Sequence, residues 1–316
     1  MKEITIRSND EGQRLDAFMG KYLKSMPPAL LYKYIRKKRI KVNGAKTQPS
    51  YRLLQGDTLQ LYLNDELFES EKEEVDIYQK IRPNLSIVYE DNNILLADKP
   101  PGLIVHEDEN ENFNTLINHI KAYLYQKGEY NPAVEHAFAP ALCNRIDRNT
   151  GGIVIASKNA QALRILNEKI KTRELHKFYL CIVMGELRQS QGELTGYLKK
   201  DAASNMVKIY TEPTRGALWA KTRYRVLRVK NGQSLIEAEL ITGRTHQIRA
   251  QFAAIGHPLL GDGKYGQNSE NRRAGRSYQA LYSYKLLFAF ETPSGILSYL
   301  DGKTFEVPEV SFAKDF

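Results

Sequence analysis

Apolar positions recur with two different periods along this chain, and the switches between them mark out most of its elements. Leu15, Phe18, Met19, Tyr22 and Leu23 form one helical stripe within 13–24, which Pro27 and Pro28 stop. Pro28 suits the first turn of a second helix carrying Leu30, Leu31, Tyr34 and Ile35, which ends in a basic cluster at 36–39. Around these helices, 4–6, 40–42, 51–54 and 58–63 read as short strands, with Asn43-Gly44 and 55–57 as tight turns. From 64 to 74 the periodicity is lost. Asp65, Glu66, Glu69, Glu71, Glu73 and Glu74 predict a self-repelling linker and a domain boundary.

Beyond the linker the pattern is dominated by strands. A hairpin is predicted from 86–89 and 94–97, then a helix over 115–125 and an irregular stretch over 131–140. Residues 152–156 are a short β-branched run, read as a buried strand, and 160–170 form an amphipathic helix. In 177–183, alternation puts Phe178, Leu180 and Ile182 on a core face. It puts Lys177, Tyr179, Cys181 and Val183 on a less uniform one, from which Tyr179 can point at a site. Strands follow at 192–198, 206–210, 220–229 and 234–241, the last two paired across Asn231-Gly232. Arg223, Arg225 and Arg228 fit either an exposed face or a solvated edge. Thr245 is placed to cap a helix carrying Ile248, Phe252 and Ile255, and 279–290 and 296–307 supply late strands.

The 316 residues allow two domains, one with a sizeable core. Lys and Arg outnumber Asp and Glu 46 to 37, a net charge of +9 that favours a polyanionic partner. Cys143 and Cys181 have no C-x-x-C spacing and the six histidines form no ligand cluster, so neither a disulfide scaffold nor a metal is expected. The start lacks the apolar core of a signal peptide, and no apolar run is long enough to span a bilayer. A reducing cytoplasm is therefore expected.

Two stretches carry candidate chemistry. In 142–158 a polar loop with Arg145, Asp147, Arg148, Asn149 and Thr150 ends in Gly151-Gly152 and enters the buried strand. Glycines there let the backbone turn sharply and approach a ligand. Asp147 is expected on a tight loop at a sheet edge, beside arginines that hold a carboxylate in its charged form. A turn-capping Asp is the competing reading. In 242–250, Thr242, Arg244, Thr245, His246, Gln247 and Arg249 crowd a helix start, a natural anion site. Lys99, in the proline-fixed loop 98–106, reads more readily as a surface lysine than as a catalytic one.

Asn144-Arg145-Ile146-Asp147 followed by Thr150-Gly151-Gly152 resembles the active-site signature of the RluA-type pseudouridine synthases, usually His-Arg-Leu-Asp-x-x-Thr-Ser-Gly. Asn144 and Gly151 depart from it. Lys99-Pro100, Gly102 and His106, then Lys177 and Tyr179, and the run from Gly243 through Arg249 to Gly261-Asp262 are similar to further elements of the same family. Residues 12–63 resemble the α-L RNA-binding module first described in a ribosomal small-subunit protein, on Arg14-Leu15-Asp16, Tyr34-Ile35-Arg36, 40–44 and Gly56-Asp57. The resemblance implies an α+β architecture. A small α-L domain (1–64) and an acidic linker (65–79) would precede a catalytic domain (80–316) with a large, mostly antiparallel mixed sheet. It implies Asp147 as catalytic nucleophile or base, Arg249 as its charge partner and Tyr179 packed on the target uracil, with Arg145, Thr150 and Ile248 lining the substrate. It also implies phosphate contacts from Arg14, Lys33, Arg36, Lys37, Arg39 and Lys41, which would position RNA without reading its sequence.

Converting uridine to pseudouridine breaks and remakes one bond to the sugar within one nucleotide, so no cofactor is expected. The target base must leave its stack, and Arg145 is the candidate to fill the vacated space. The expected partner is RNA, large-subunit ribosomal RNA before transfer RNA, acted on by a monomer. Two rivals are a catalytically silent RNA-binding or ribosome-assembly protein, which would lack Asp, Tyr or Arg in its pocket, and a base-excising hydrolase. The hydrolase generally needs a second carboxylate or a positioned base to activate water, and no second carboxylate stands in the two key motifs.

Overall fold

Two sheets organise the chain. The computed structural model describes residues 1–316 apart from 24, 69–77, 202–205, 267–276 and 315. Contacts divide it into two compact units, one comprising 1–84, 117–141 and 157–163, the other 85–116, 142–156 and 164–316. That division assigns two later segments to the N-terminal unit, where the sequence suggests a single cut near 65–79.

The first unit has a four-stranded sheet in the order β1 (Lys2–Thr5), β4 (Thr58–Leu61), β2 (Ile40–Val42), β3 (Ala45–Lys46). Helices α1 (Leu15–Tyr22) and α2 (Pro28–Arg36) join their stripes to it, burying Leu15, Phe18, Met19, Leu31 and Ile35 with Ile40, Leu59 and Leu61. Pro28 stands at the helix start, where a missing N–H costs nothing. Asn43 and Gly44, at φ of 51° and 76°, make the tight turn between β2 and β3. Residues 51–54 do not form the predicted strand. They contribute one bridge, Arg14 to Arg52, because Tyr51 and Leu53 pair instead with the loop before α1. The acidic segment opens with a 3-10 turn (Asp65–Phe68) whose Leu67 and Phe68 pack on this core, so an apolar anchor was missed there. The rest of its charges lie outside the described residues.

The second sheet has eleven strands. Nine run in the order β11 (Met206–Tyr210), β10 (Gln191–Asp201), β12 (Leu218–Lys230), β13 (Gln233–Leu240), β9 (Leu175–Met184), β14 (Leu281–Phe288), β8 (Gly151–Ser157), β6 (Ile94–Lys99), β5 (Ser86–Glu90). β7 (Ala141–Leu142) adds to β8 and β15 (Thr304–Glu306) to β14. The β14–β8 pair is parallel, and the strands from β11 to β14 are antiparallel to their neighbours. Helices α3 (Leu116–Gln126) and α4 (Ala160–Lys171) match the predicted ones, and a short α6 (Ser311–Lys314) follows β15.

Four expectations are corrected. β9 is central, so both its faces are buried. Tyr179, Cys181 and Val183 pack with Ile248 and Phe252 of α5 (Gln247–Ala254), while Leu180 and Ile182 join a second cluster. β12 is an interior strand, so of the two readings the solvated edge fails and the exposed face holds: Arg223, Arg225 and Arg228 are exposed, the first two held by Glu193, Glu239 and Glu237. Residues 296–307 give a 3-10 turn (Gly295–Leu300) and only three residues of strand. α5 is not capped by Thr245. Its first flanking residue is His246, in the left-handed region at φ 52°. Among the described residues, no helix is long and apolar enough to cross a membrane.

Candidate active site

The loop entering β8 is fixed at both ends by backbone pairing. The Cys143 N–H donates to the Ile155 carbonyl at 2.7 Å, and the Asn144 side chain continues that pairing by accepting from the Ile155 N–H at 2.8 Å. At the other end, the Thr150 N–H closes a turn onto the Asp147 carbonyl at 3.0 Å, and Gln279 donates to the Thr150 hydroxyl at 3.1 Å. Gly152 has φ 113°, and any Cβ there would strike the Ser283 backbone of the parallel strand β14. At Gly151 a Cβ would enter the Tyr282 ring, which is why this chain has glycine where the family's serine is usual. We predict that Asn144→Ala loses about 1–2 kcal/mol of stability by stranding the buried Ile155 N–H, as read by chemical denaturation.

Lys99 is buried, not on the surface. Its Nζ donates to the carbonyls of Pro100, Leu103 and Arg148 at 3.0, 2.8 and 2.9 Å, tying the 98–106 loop to the back of the Asp147 loop. Burial lowers its pKa to about 7, with Asp147 and Asp98 pulling it upward. The Gly102 N–H and the Arg148 carbonyl add a second tie at 2.8 Å.

The charge partner of Asp147 is neither Arg145 nor Arg148, as loop proximity suggests. Arg145 is exposed on the cleft wall and Arg148 donates to the Gly102 carbonyl. The partner is Arg249, on α5, whose Nη1 lies 2.8 Å from Asp147 Oδ2. Arg249 is itself held from behind. Its Nε and Nη2 form a fork on Asp262 at 2.7 and 2.9 Å, and Asp262, fully buried, also accepts the backbone N–H of Lys264 at 2.9 Å. Burial would raise the Asp262 pKa, but the guanidinium and backbone donors bring it below the usual carboxylate range. Burial acts to lower the Arg249 pKa, but the two carboxylates override it and keep the group charged. The Arg249 guanidinium also lies 5.3 Å from the Tyr265 ring centre. Asp262 was named in the sequence only as the end of a motif. A Gly-Asp pair after a turn carries no mark of burial, so its role was not readable there.

His246 closes the far side. The Tyr265 hydroxyl accepts from the Val207 N–H at 2.7 Å and is hydrogen-bonded to His246 Nδ1 at 3.0 Å. The other ring nitrogen, Nε2, faces Asp147 Oδ2 at 3.8 Å. Burial keeps the imidazole pKa below its ordinary value. Tyr179 is 5% exposed. Its pKa is pushed up to about 12 by burial, with the Ser283 contact opposing and Asp147 adding, so the phenol is neutral. Ile248 packs beside it.

Asp147, Arg145, Thr150, Tyr179, Ile248 and Arg249 all line one cleft of about 2070 Å³ in the second unit. The volume exceeds that of an ordinary small-ligand pocket, roughly 300–1,000 Å³, and suits a nucleotide with its neighbours. The candidate phosphate contacts lie in the first unit. Lys33, Arg36, Lys37 and Arg39 are exposed, Lys41 is half-buried over Tyr62, and Arg14 is paired with Asp16 at 2.6 Å. The basic residues 272, 273 and 276 lie outside the described residues. No group of three or more His, Cys, Asp or Glu side chains that could hold a metal ion occurs among the described residues.

This sheet, with a carboxylate held by a guanidinium in a cleft of nucleotide size, is that of an RNA-modifying isomerase. The model of the RNA pseudouridylate synthase family matches residues 93–254, and the chain belongs to that family. It is 31% identical over 293 residues to an uncharacterized RNA pseudouridine synthase of Mycoplasma genitalium, covering 90% of this chain and 88% of that protein. It is 29% identical over 298 residues to ribosomal large subunit pseudouridine synthase C of Escherichia coli, covering 93% and 89%. In fold it is similar to the solved structure of human RNA pseudouridylate synthase domain containing 4. The TM-score is 0.56 at 19% identity, over 78% of this chain and 94% of that one.

Proposed function

We propose that the protein isomerises uridine in large-subunit ribosomal RNA, with Asp147 as the nucleophile or base at the sugar of an everted nucleotide. The observation that carries this reading is the 2.8 Å contact between Asp147 and the buried Arg249 in the open cleft. A guanidinium anchored elsewhere aims the carboxylate without consuming its second oxygen. Ile248 and the Tyr179 ring supply an apolar seat for uracil, and Arg145, free on the cleft wall, fills the gap left by the departing base. The neutral Tyr179 hydroxyl, next to Asp147 in charge terms, is the proton shuttle. The N-terminal residues 1–64 act as an RNA-positioning module of the α-L type, with Lys33, Arg36, Lys37, Arg39 and Lys41 on phosphates and Arg14 already committed to Asp16. The name of the Escherichia coli relative supports ribosomal over transfer RNA.

Tyr179→Phe keeps the ring and removes the hydroxyl. We predict a fall of about 10²-fold in kcat with KM within about twofold, measured on a uridine-containing RNA. The substrate assignment is tested by mapping pseudouridine in cellular RNA with and without the gene, rescued by wild type or Asp147→Ala. A large-subunit position that disappears and returns only with wild type supports it. A change confined to transfer RNA overturns the substrate, and rescue by Asp147→Ala overturns the mechanism.

A further inference from the structure

We propose that Trp219 and Arg173 form a stacking platform for an unpaired nucleobase of the RNA that flanks the isomerised uridine. The proposal rests on reading the Asp147 cleft as the uridine site. Trp219 is the single tryptophan of the chain and stands near the start of β12, opposite Tyr197 of β10. Its neighbour Ala220 is fully buried, but Trp219 stays 37% exposed. Two arginines of the cleft wall tie it to that cleft. The Arg173 guanidinium lies 5.9 Å from the indole ring centre, and Arg244 Nε donates to the Trp219 carbonyl at 3.2 Å.

The charges on this corner are uncommitted. Arg223 and Arg225, further along β12, are neutralised by glutamates, whereas neither Arg173 nor Arg244 has a carboxylate partner among the described residues. Guanidinium groups without a carboxylate partner, beside an open indole, match what a nucleotide presents, a phosphate joined to a planar base. The backbone at Arg173 adds an independent sign. Arg173 has φ 66° in the turn that ends α4, where the Glu174 N–H reaches the Lys169 carbonyl at 2.9 Å and the Arg173 N–H reaches that of Ile170. This is the helix-ending position that glycine fills most easily, and a side chain there is strained. Among the described residues the Arg173 side chain makes no hydrogen bond or ion pair, and its guanidinium faces the indole.

Because Trp219 is the single indole, its emission reports on this corner alone. The test titrates the full-length protein with a single-stranded RNA oligonucleotide holding one uridine between purines. We expect the emission to be quenched at saturation, in wild type and in Asp147→Ala alike. Trp219→Ala is expected to raise KM about tenfold with kcat little changed, and Trp219→Phe to recover most of the loss. Arg173→Gly is expected to weaken RNA binding several-fold while raising the melting temperature, opposite signs that a structural role for the arginine cannot give. Unchanged emission at saturation, or a wild-type KM in Trp219→Ala, overturns the platform. Turnover by Asp147→Ala would instead overturn the reading of the cleft, while the emission titration would still decide the platform.

Discussion

Asp147→Asn is expected to abolish isomerisation while leaving the protein folded and able to hold RNA. The expected loss in single-turnover rate is on the order of 10⁴-fold or more, the scale seen when a group that attacks or deprotonates substrate is removed. Structural cost is small because Arg249 keeps its fork on Asp262 when Asp147 is neutralised. The melting temperature is expected to move by less than about 3 °C, since a partly exposed ion pair contributes little to stability. The measurement pairs a pseudouridine assay with thermal unfolding of the same preparation. A variant that keeps even a tenth of the wild-type rate would remove Asp147 from the chemistry.

The opposite balance is expected at Asp262. It is fully buried, yet it holds two of the three bonds that fix the Arg249 guanidinium. Asp262→Asn replaces a buried carboxylate with a neutral amide, leaving a buried cation short of its counter-charge. Breaking such a pair costs about 3–5 kcal/mol, which corresponds to a fall of about 10 °C in melting temperature. Activity falls as well, by about 10²-fold at a temperature where the variant is folded, because Arg249 no longer aims Asp147. Arg249→Lys separates charge from geometry. It restores a cation but not the fork, and should behave like Asp262→Asn rather than like wild type. If Asp262→Asn melts at the wild-type temperature, the fork is not what fixes this corner.

These two residues also mark where the sequence was legible and where it was not. Helical stripes such as Leu15, Phe18, Met19 and Tyr22, and the Asn43-Gly44 and Asn231-Gly232 turns, depend on local geometry, and the elements they predict are present. The Asp147 and Arg249 motifs stood out because polar residues crowd beside glycines and a helix start. What escaped notice depends on position in the sheet. The alternation in β9 could not distinguish a half-buried strand from one covered on both sides, and the Tyr179 face is packed more deeply than the one read as core. Lys99 looked exposed because lysine usually is, but three carbonyls converge on its amine. For the partner of Asp147, loop proximity misled whereas the resemblance pointed to Arg249, 102 residues away; Arg148, beside it in sequence, donates to the Gly102 carbonyl instead.

The parallel pairing of β8 with β14 has a consequence for how the protein is made. Gln279, just ahead of β14, braces Thr150 across 129 residues of chain, and the glycines that admit that strand sit directly behind the Asp147 loop. Closing so long a segment is slow compared with forming hairpins such as β12–β13. A nascent chain that has not yet reached β14 therefore has the Asp147 loop without its backing strand. Competence should emerge as a late, abrupt event in synthesis, with no gradual gain as the polypeptide lengthens.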